Sequence, residues 1–152
     1  MKFFLFLLSM YSLSSLAGIV KTEASGEITK NERAYRKKYI NLNGDYAKGE
    51  IFSAATWSLN GRDTVLLFLQ FHGQCRVVEF STPERNATNG ILLDSPWCKY
   101  KSNPIVEERG DESIIKYAVR IKSDTSAEEI RLNNKTGDIC SNSFGNTEMQ
   151  CE

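Results

Sequence analysis

Apolar residues along this chain fall into short runs and period-two alternations, separated by clusters of polar turn-formers. Residues 51–59 (Ile-Phe-Ser-Ala-Ala-Thr-Trp-Ser-Leu) and 63–71 (Asp-Thr-Val-Leu-Leu-Phe-Leu-Gln-Phe) flank Asn60-Gly61. That dipeptide suits a type I′ turn, whose two central residues take positive φ, so the segment predicts a β-hairpin. In its second strand Val65, Leu67, Leu69 and Phe71 share one face, and Thr64, Leu66, Phe68 and Gln70 share the other. Both faces are largely apolar, which predicts a central strand covered on both sides. His72-Gly73 offers the next turn, and Cys75–Phe80 reads as a third strand. A polar loop is expected over 81–90, then a short apolar segment, Ile91-Leu92-Leu93, ending at Ser95-Pro96. Over 112–122, Ile115, Tyr117, Val119 and Ile121 alternate with Lys116, Ala118, Arg120 and Lys122, the pattern of a strand with one wet face. After a turn at 123–126, a weaker strand is expected at 128–132.

Ahead of the hairpin, residues 21–49 are polar. Ile28, Tyr35, Tyr39 and Leu42 fall on one helical face, and Thr29 with Glu32 could form a capping box. A short amphipathic helix over 29–39 is one reading and a flexible lead-in is the other. Five or six antiparallel strands with polar loops predict an all-β fold, a small antiparallel barrel or sandwich. Closing the sheet would remove its edges. No repeat or linker divides the chain, so a single domain is expected.

The first 17 residues change the picture of where that domain works. Lys2, the apolar run from Phe3 to about Leu16, and the small residues Ser15 and Ala17 before Gly18 make the three parts of a secretory signal peptide. Serines at 9, 12, 14 and 15 interrupt the run, which is shorter than the roughly 20 apolar residues of a spanning helix. Removing 17 of 152 residues leaves 135, with 18 basic residues against 19 acidic. Such a balance lacks the basic footprint of nucleic-acid binding and gives no reason to expect membrane insertion. The four cysteines, Cys75, Cys98, Cys140 and Cys151, form an even set in an exported chain and predict two disulfides. None has the C-x2-C or C-x4-C spacing of a zinc site, and the sequence holds one histidine. Three pairings are open. The expectation leans towards Cys140 or Cys151 tethering the Ser/Asn/Gly-rich tail to Cys75 or Cys98, with Cys75–Cys98 plus Cys140–Cys151 as the competing arrangement. Sequons at Asn86-Ala87-Thr88 and Asn134-Lys135-Thr136 fit a glycosylated extracellular protein.

Candidate chemistry is sparse. His72 lies in a turn with no orienting partner nearby in sequence, and the cysteines are expected to be oxidised, so neither nucleophilic triad nor thiol catalysis is indicated. Glu107-Glu108, Asp111-Glu112 and Glu128-Glu129 are adjacent pairs, whose members point to opposite faces of an extended chain; they read as solvated charged loops. Arg33, Arg36, Lys37 and Lys38 read as a solvated face. No enzyme activity, cofactor or metal is expected. The aromatic residues carry more. Trp57, Phe68 and Tyr117 would line a barrel that carries a small apolar or aromatic ligand, or would fill a solid core. Pro83, Arg85, Leu93 and Trp97 mark the loop 83–97 as the candidate surface for a protein partner.

The stretch from Asp63 to Tyr100, about a quarter of the chain, resembles the central part of tick salivary lipocalins. The apolar strand Thr64-Val65-Leu66-Leu67-Phe68 leads to the cysteine-bearing Cys75-Arg76-Val77-Val78, and Trp97-Cys98 follows a loop. The late Cys140 and Cys151 are similar to that family's cysteine-bearing tail. No G-x-W start motif is present, and the chain is short for eight barrel strands. The resemblance implies a blood-feeder's secreted protein that captures a host mediator or blocks a host defence protein. The expected function is therefore that of a secreted, non-enzymatic binding protein, salivary- or venom-like, acting on an extracellular protein or mediator. Its alternative is a lipocalin-like carrier.

Overall fold

The computed structural model describes residues 21–23, 49–59, 61–81, 88–142 and 149–151. Within these residues every regular element is a strand: β1 (Lys21–Glu23), β2 (Glu50–Leu59), β3 (Arg62–Phe71), β4 (Gln74–Ser81), β5 (Thr88–Ser95), β6 (Cys98–Tyr100), β7 (Ile105–Arg109), β8 (Glu112–Ile121), β9 (Asp124–Asn133), β10 (Ile139–Asn142) and β11 (Met149–Cys151). They form two antiparallel sheets. The first runs β1-β2-β3-β4-β5; the second runs β11-β10-β9-β8-β6, with β7 also pairing β8. The expected helix at 29–39 and the basic cluster 33–38 lie outside the described residues.

The predicted hairpin forms as read. Leu59 pairs with Arg62, leaving a two-residue connection in which Gly61 takes φ 77°. Strand β3 is covered on both faces: Leu66 and Phe68 enter a core shared by both sheets, while Val65, Leu67 and Leu69 join Ile51, Ala54, Val78 and Phe80 in a second buried cluster. The shared core draws Ala55, Trp57, Val77 and Leu93 from the first sheet and Tyr100, Ile115, Tyr117, Val119, Ile130, Leu132 and Ile139 from the second. A bulge between Ile51 and Ser53 inserts Phe52, which packs against the shared core and stacks on Tyr100 at 4.9 Å between ring centroids. A bulge re-aims one side chain at the cost of a local break in the ladder.

Four expectations are corrected. The apolar segment at 91–93 belongs to an eight-residue strand, β5, so the loop expected over 81–90 is shorter and the exposed stretch expected at 83–97 is mostly strand. Backbone pairing with β4, with register shifts at Val77/Val78 and Glu79/Phe80, carries Gly90 and Thr88 into the ladder and leaves Asn89 at the irregularity between them. The weak strand at 128–132 extends over Asp124–Asn133, and its turn is Lys122-Ser123. Glu107-Glu108 and Glu128-Glu129 sit in strands, not loops. Finally, the disulfides are Cys75–Cys98, from β4 to β6, and Cys140–Cys151, from β10 to β11. The tail closes on itself as a hairpin instead of reaching Cys75 or Cys98.

Each cross-link restricts the unfolded chain, by about 3 kcal/mol for loops of such lengths. The two should nonetheless behave differently. Cys75–Cys98 is buried and joins the two sheets, whereas Cys140–Cys151 joins neighbouring strands and Cys151 is exposed. Replacing Cys75 and Cys98 by serine should leave two polar groups in the core and abolish cooperative thermal unfolding near room temperature, while the Cys140→Ser/Cys151→Ser variant should stay folded with a lowered Tm. Equal losses in circular-dichroism melts would contradict this ranking.

Candidate interaction site at the turn end

Three turns meet at one end of the molecule. His72-Gly73 joins β3 to β4, Pro96-Trp97 joins β5 to β6, and Lys122-Ser123 joins β8 to β9. The Cys98 N–H donates to the Gly73 carbonyl and the Lys122 N–H donates to the Trp97 carbonyl, so each turn is bonded to the next. His72, Trp97 and Lys122 have φ of 42°, 57° and 53°, the left-handed region that favours glycine. Proline followed by a residue of positive φ is the pattern of a type II turn, whose second central position asks for Gly or Asn. A tryptophan stands there, 77% exposed. Among the described residues Trp97 and Ile105 are the large apolar side chains that face water.

What holds this turn is packed underneath it. Gln70, facing inward from β3, donates through Nε2 to the Cys98 carbonyl at 2.8 Å and to the Gln74 carbonyl at 3.0 Å. Its Oε1 accepts from the Tyr100 N–H at 3.1 Å. The side-chain amide thus does for β6 what a neighbouring strand would do, offering one acceptor and one donor in a plane. The Tyr100 hydroxyl donates to the Arg76 carbonyl at 2.7 Å, and the Cys75–Cys98 bridge closes the group. Gln70→Leu would strand the Cys98 carbonyl and the Tyr100 N–H and should cost about 2–3 kcal/mol in urea unfolding. A loss below about 0.5 kcal/mol, the size of an ordinary surface change, would remove Gln70 from this role.

The aromatic residues expected to line a carrier's interior are brought together, and they pack on one another. Trp57, Phe68 and Tyr117 all belong to the shared core. Phe68 meets Tyr117 edge-on at 5.2 Å and Tyr100 at 6.0 Å. Trp57 borders a shallow surface dimple, shared with Ser58, Leu59, Leu132, Asn133 and Asn134, that has no room for a water-sized sphere. Burial pushes the Tyr100 hydroxyl well above the ordinary tyrosine range, with Tyr117 adding to it. Burial does the same to Tyr117, helped by the charge of Glu128. Glu128 faces inward beside Tyr117; burial raises its carboxyl, partly offset by the Ser126 hydroxyl donating to it at 2.6 Å.

Of the residues expected on the partner loop, Pro83 and Arg85 lie outside the described residues, as does Asn86. Leu93 is buried in the core, where a partner cannot reach it, and Trp97 alone of the four is shown at the surface. Asn134 sits in the β9–β10 turn, where its Oδ1 accepts from Ser113 at 2.9 Å. His72 is exposed, with its ring against Phe71 at 4.3 Å. Adjacent carboxylates separate as their spacing implies. Glu107 accepts from Lys116 and Arg109, which hold it below the usual carboxylate range, while Glu108 accepts from Ser113 at 2.6 Å. Glu129 pairs Arg131 at 2.6 Å on the face opposite Glu128. No group of three or more His, Cys, Asp or Glu side chains fit to hold a metal ion occurs among the described residues. No helix among them is long and apolar enough to cross a membrane.

Sequence reasoning passed over two features of this end. Gln70 was visible only as the last polar position of an apolar face, and nothing in the sequence assigns it three backbone partners. Lys99 and Arg120 face each other across β6 and β8, a pairing that appears only with the register. Compared with protein-family models, with curated proteins and with solved structures, the chain matches none.

The raised groups set a pH dependence. Below the ordinary tyrosine value of 10.0, Tyr100 and Tyr117 are protonated in both states and their contribution is complete. Above it the unfolded chain ionises first, so stability should fall as pH climbs past about 10. Glu128 works in the same sense at acid pH: the folded state holds its proton more tightly, an advantage present below the ordinary 4.5 and lost as pH rises through the shifted value. Glu128→Gln should therefore stabilise the protein at pH 7 and confer little at pH 4. Urea midpoints at the two pH values check this, and a loss at pH 7 would show the carboxylate to be paired favourably.

Proposed function

We propose that this chain is a secreted, non-enzymatic binding protein that folds as a disulfide-stapled β-sandwich and engages an extracellular protein through the Trp97 turn. The observation that carries this reading is an exposed tryptophan in a conformation unfavourable for its own backbone, fixed from beneath by a disulfide and a half-buried amide. Left-handed backbone costs an ordinary residue about 1–2 kcal/mol. Strain of this kind gathers at sites where a side chain must be displayed. Tryptophan is also the residue most enriched among binding hot spots, and a rigid mount lowers the entropy lost on association.

The packing of Phe68 against Tyr100 and Tyr117 supports a filled interior over the carrier alternative. Two disulfides suit the extracellular compartment that the N-terminal pattern implies. A glycan at Asn134 would be compatible with the site. Asn133 pairs with Glu112 at one end of β8, whereas Cys98 pairs with Ile121 at the other. Ten strand residues separate those ends by roughly 30 Å. The salivary or venom effector role suggested by the tick-lipocalin resemblance fits a protein that presents an exposed aromatic on a braced turn.

Protein secreted from eukaryotic cells should begin at Gly18 and show no denaturation-sensitive adduct of a few hundred daltons by native mass spectrometry. Trp97→Gly should keep or raise the Tm, since glycine relieves the left-handed position and little packing is lost. As parallel baits in plasma or another extracellular fluid, wild type should retain a protein that Trp97→Gly loses at least tenfold. Identical captures would sink the Trp97 site, and a released adduct would restore the carrier reading.

A further inference from the structure

We infer that the partner presents carboxylates around an apolar pocket, because the surface beside Trp97 is a cationic row with no ion-paired acid among the described residues. This rests on the Trp97 site proposed above and gives that site a partner chemistry. Lys99 and Arg120 are directly opposite each other in the β6–β8 ladder, and both are exposed. Directly opposed residues of antiparallel strands project from the same face with Cβ atoms about 5 Å apart, and like charges so placed are destabilising. The row continues to Thr125 on β9, so it holds two cations and no anion. Arg120 Nε donates to the Lys122 carbonyl at 3.1 Å, which steers its guanidinium towards the Trp97 turn, and exposed Lys122 adds a third cation. None of the three forms an ion pair among the described residues.

The acids of this end do not answer that charge. Asp94 is bonded to Arg76 at 3.2 Å on the other sheet. Asp124 is exposed just after the Lys122-Ser123 turn, but it pairs with Ile121 and so lies on the opposite face of the sheet from Lys99 and Arg120, with no ion pair to them. Glu50 begins β2, which lies on the first sheet beside β3. Elsewhere on the same outer face the charges are matched: Lys116 opposes Glu129 and contacts Glu107, and Arg131 bonds Glu129. Among the described residues the unmatched cations Lys99, Arg120 and Lys122 thus cluster beside Trp97. An apolar anchor rimmed by cations is complementary to an apolar pocket rimmed by Asp and Glu, and such charge pairs accelerate encounter and suppress wrong partners.

The probe is a random dodecapeptide library displayed on phage and selected on the full mature chain, with the chosen peptides then titrated against variants. Selected peptides should combine Asp or Glu with a Leu, Phe or Trp, and their Kd should rise at least tenfold with Lys99→Glu, with Arg120→Glu and with Trp97→Gly. Binding should also weaken steeply between 50 and 300 mM salt, about tenfold, as exposed charge pairs are screened. In the free protein Lys99→Glu converts a like-charge pair into an ion pair, so its Tm should hold or rise by about 2 °C.

Peptides that lose binding with Trp97→Gly but not with either charge reversal would overturn the acidic partner and leave the Trp97 site standing. Peptides indifferent to Trp97→Gly would remove both. An empty selection overturns the inference as well. So does binding of heparin or of phosphatidylserine vesicles that both charge reversals abolish when no acidic peptide is enriched, since the row would then serve a polysaccharide or a lipid surface. A Tm drop above 5 °C for Lys99→Glu would mark Lys99 as structural.

Discussion

The side-chain amide of Gln70 and the Cys75–Cys98 bridge together make two sheets into one body at the turn end. Strand β6 is three residues long, too short for its ladder with β8 to fix it alone. Its two inward-facing residues, Cys98 and Tyr100, are held from the other sheet as well. Cys98 is covalently joined to Cys75, its carbonyl and the Tyr100 N–H are satisfied by Gln70, and the Tyr100 hydroxyl reaches the Arg76 backbone. The ring of Tyr100 then stacks on Phe52, which only a bulge in β2 brings into position. Polar satisfaction, a covalent link and aromatic packing converge on two residues, Cys98 and Tyr100. The turn immediately before them inherits their rigidity.

How much of this the sequence discloses depends on whether local pattern or distant pairing decides each element. The β2–β3 hairpin and β8 are legible because period-two patterning and an Asn-Gly turn are local signals. Strand β7, Ile-Val-Glu-Glu-Arg, is mostly charged and pairs through one edge only, so its hydrophobic pattern is too weak to read. Strand β5 begins with Thr-Asn-Gly, residues that signal a turn until β4 recruits them. The C-terminal hairpin contains little apolar surface, and its strands meet at a disulfide whose partners the spacing leaves undecided.

The site shows the same division. Trp57, Phe68 and Tyr117 were identifiable as interior aromatics, but whether they enclose space or fill it depends on side chains from both sheets. Leu93 looked like a loop residue because Pro83 to Trp97 looked like a loop; its strand turns it into the core. Trp97 carries a partial signal, since Pro96 before it suits a type II turn. Its exposure is expected from its place at the end of a polar stretch, and it stays exposed although most of that stretch is strand.

An exposed tryptophan of left-handed φ and an opposed pair of cations are each unfavourable to the isolated fold. Asparagine or glycine would suit position 97 better, and a carboxylate would suit position 99 better. Each feature alone is a small defect of the sort a marginally stable protein tolerates. Here both border β6, which is bonded to both sheets, and neither is relieved by any contact among the described residues. Bracing is what permits them: a turn held by a disulfide, three bonds to one amide and a stacked ring can keep a strained residue in place, where an unsupported turn would refold around it. Strand β6, braced from the first sheet as well as paired with β8, is what keeps that turn in its left-handed geometry.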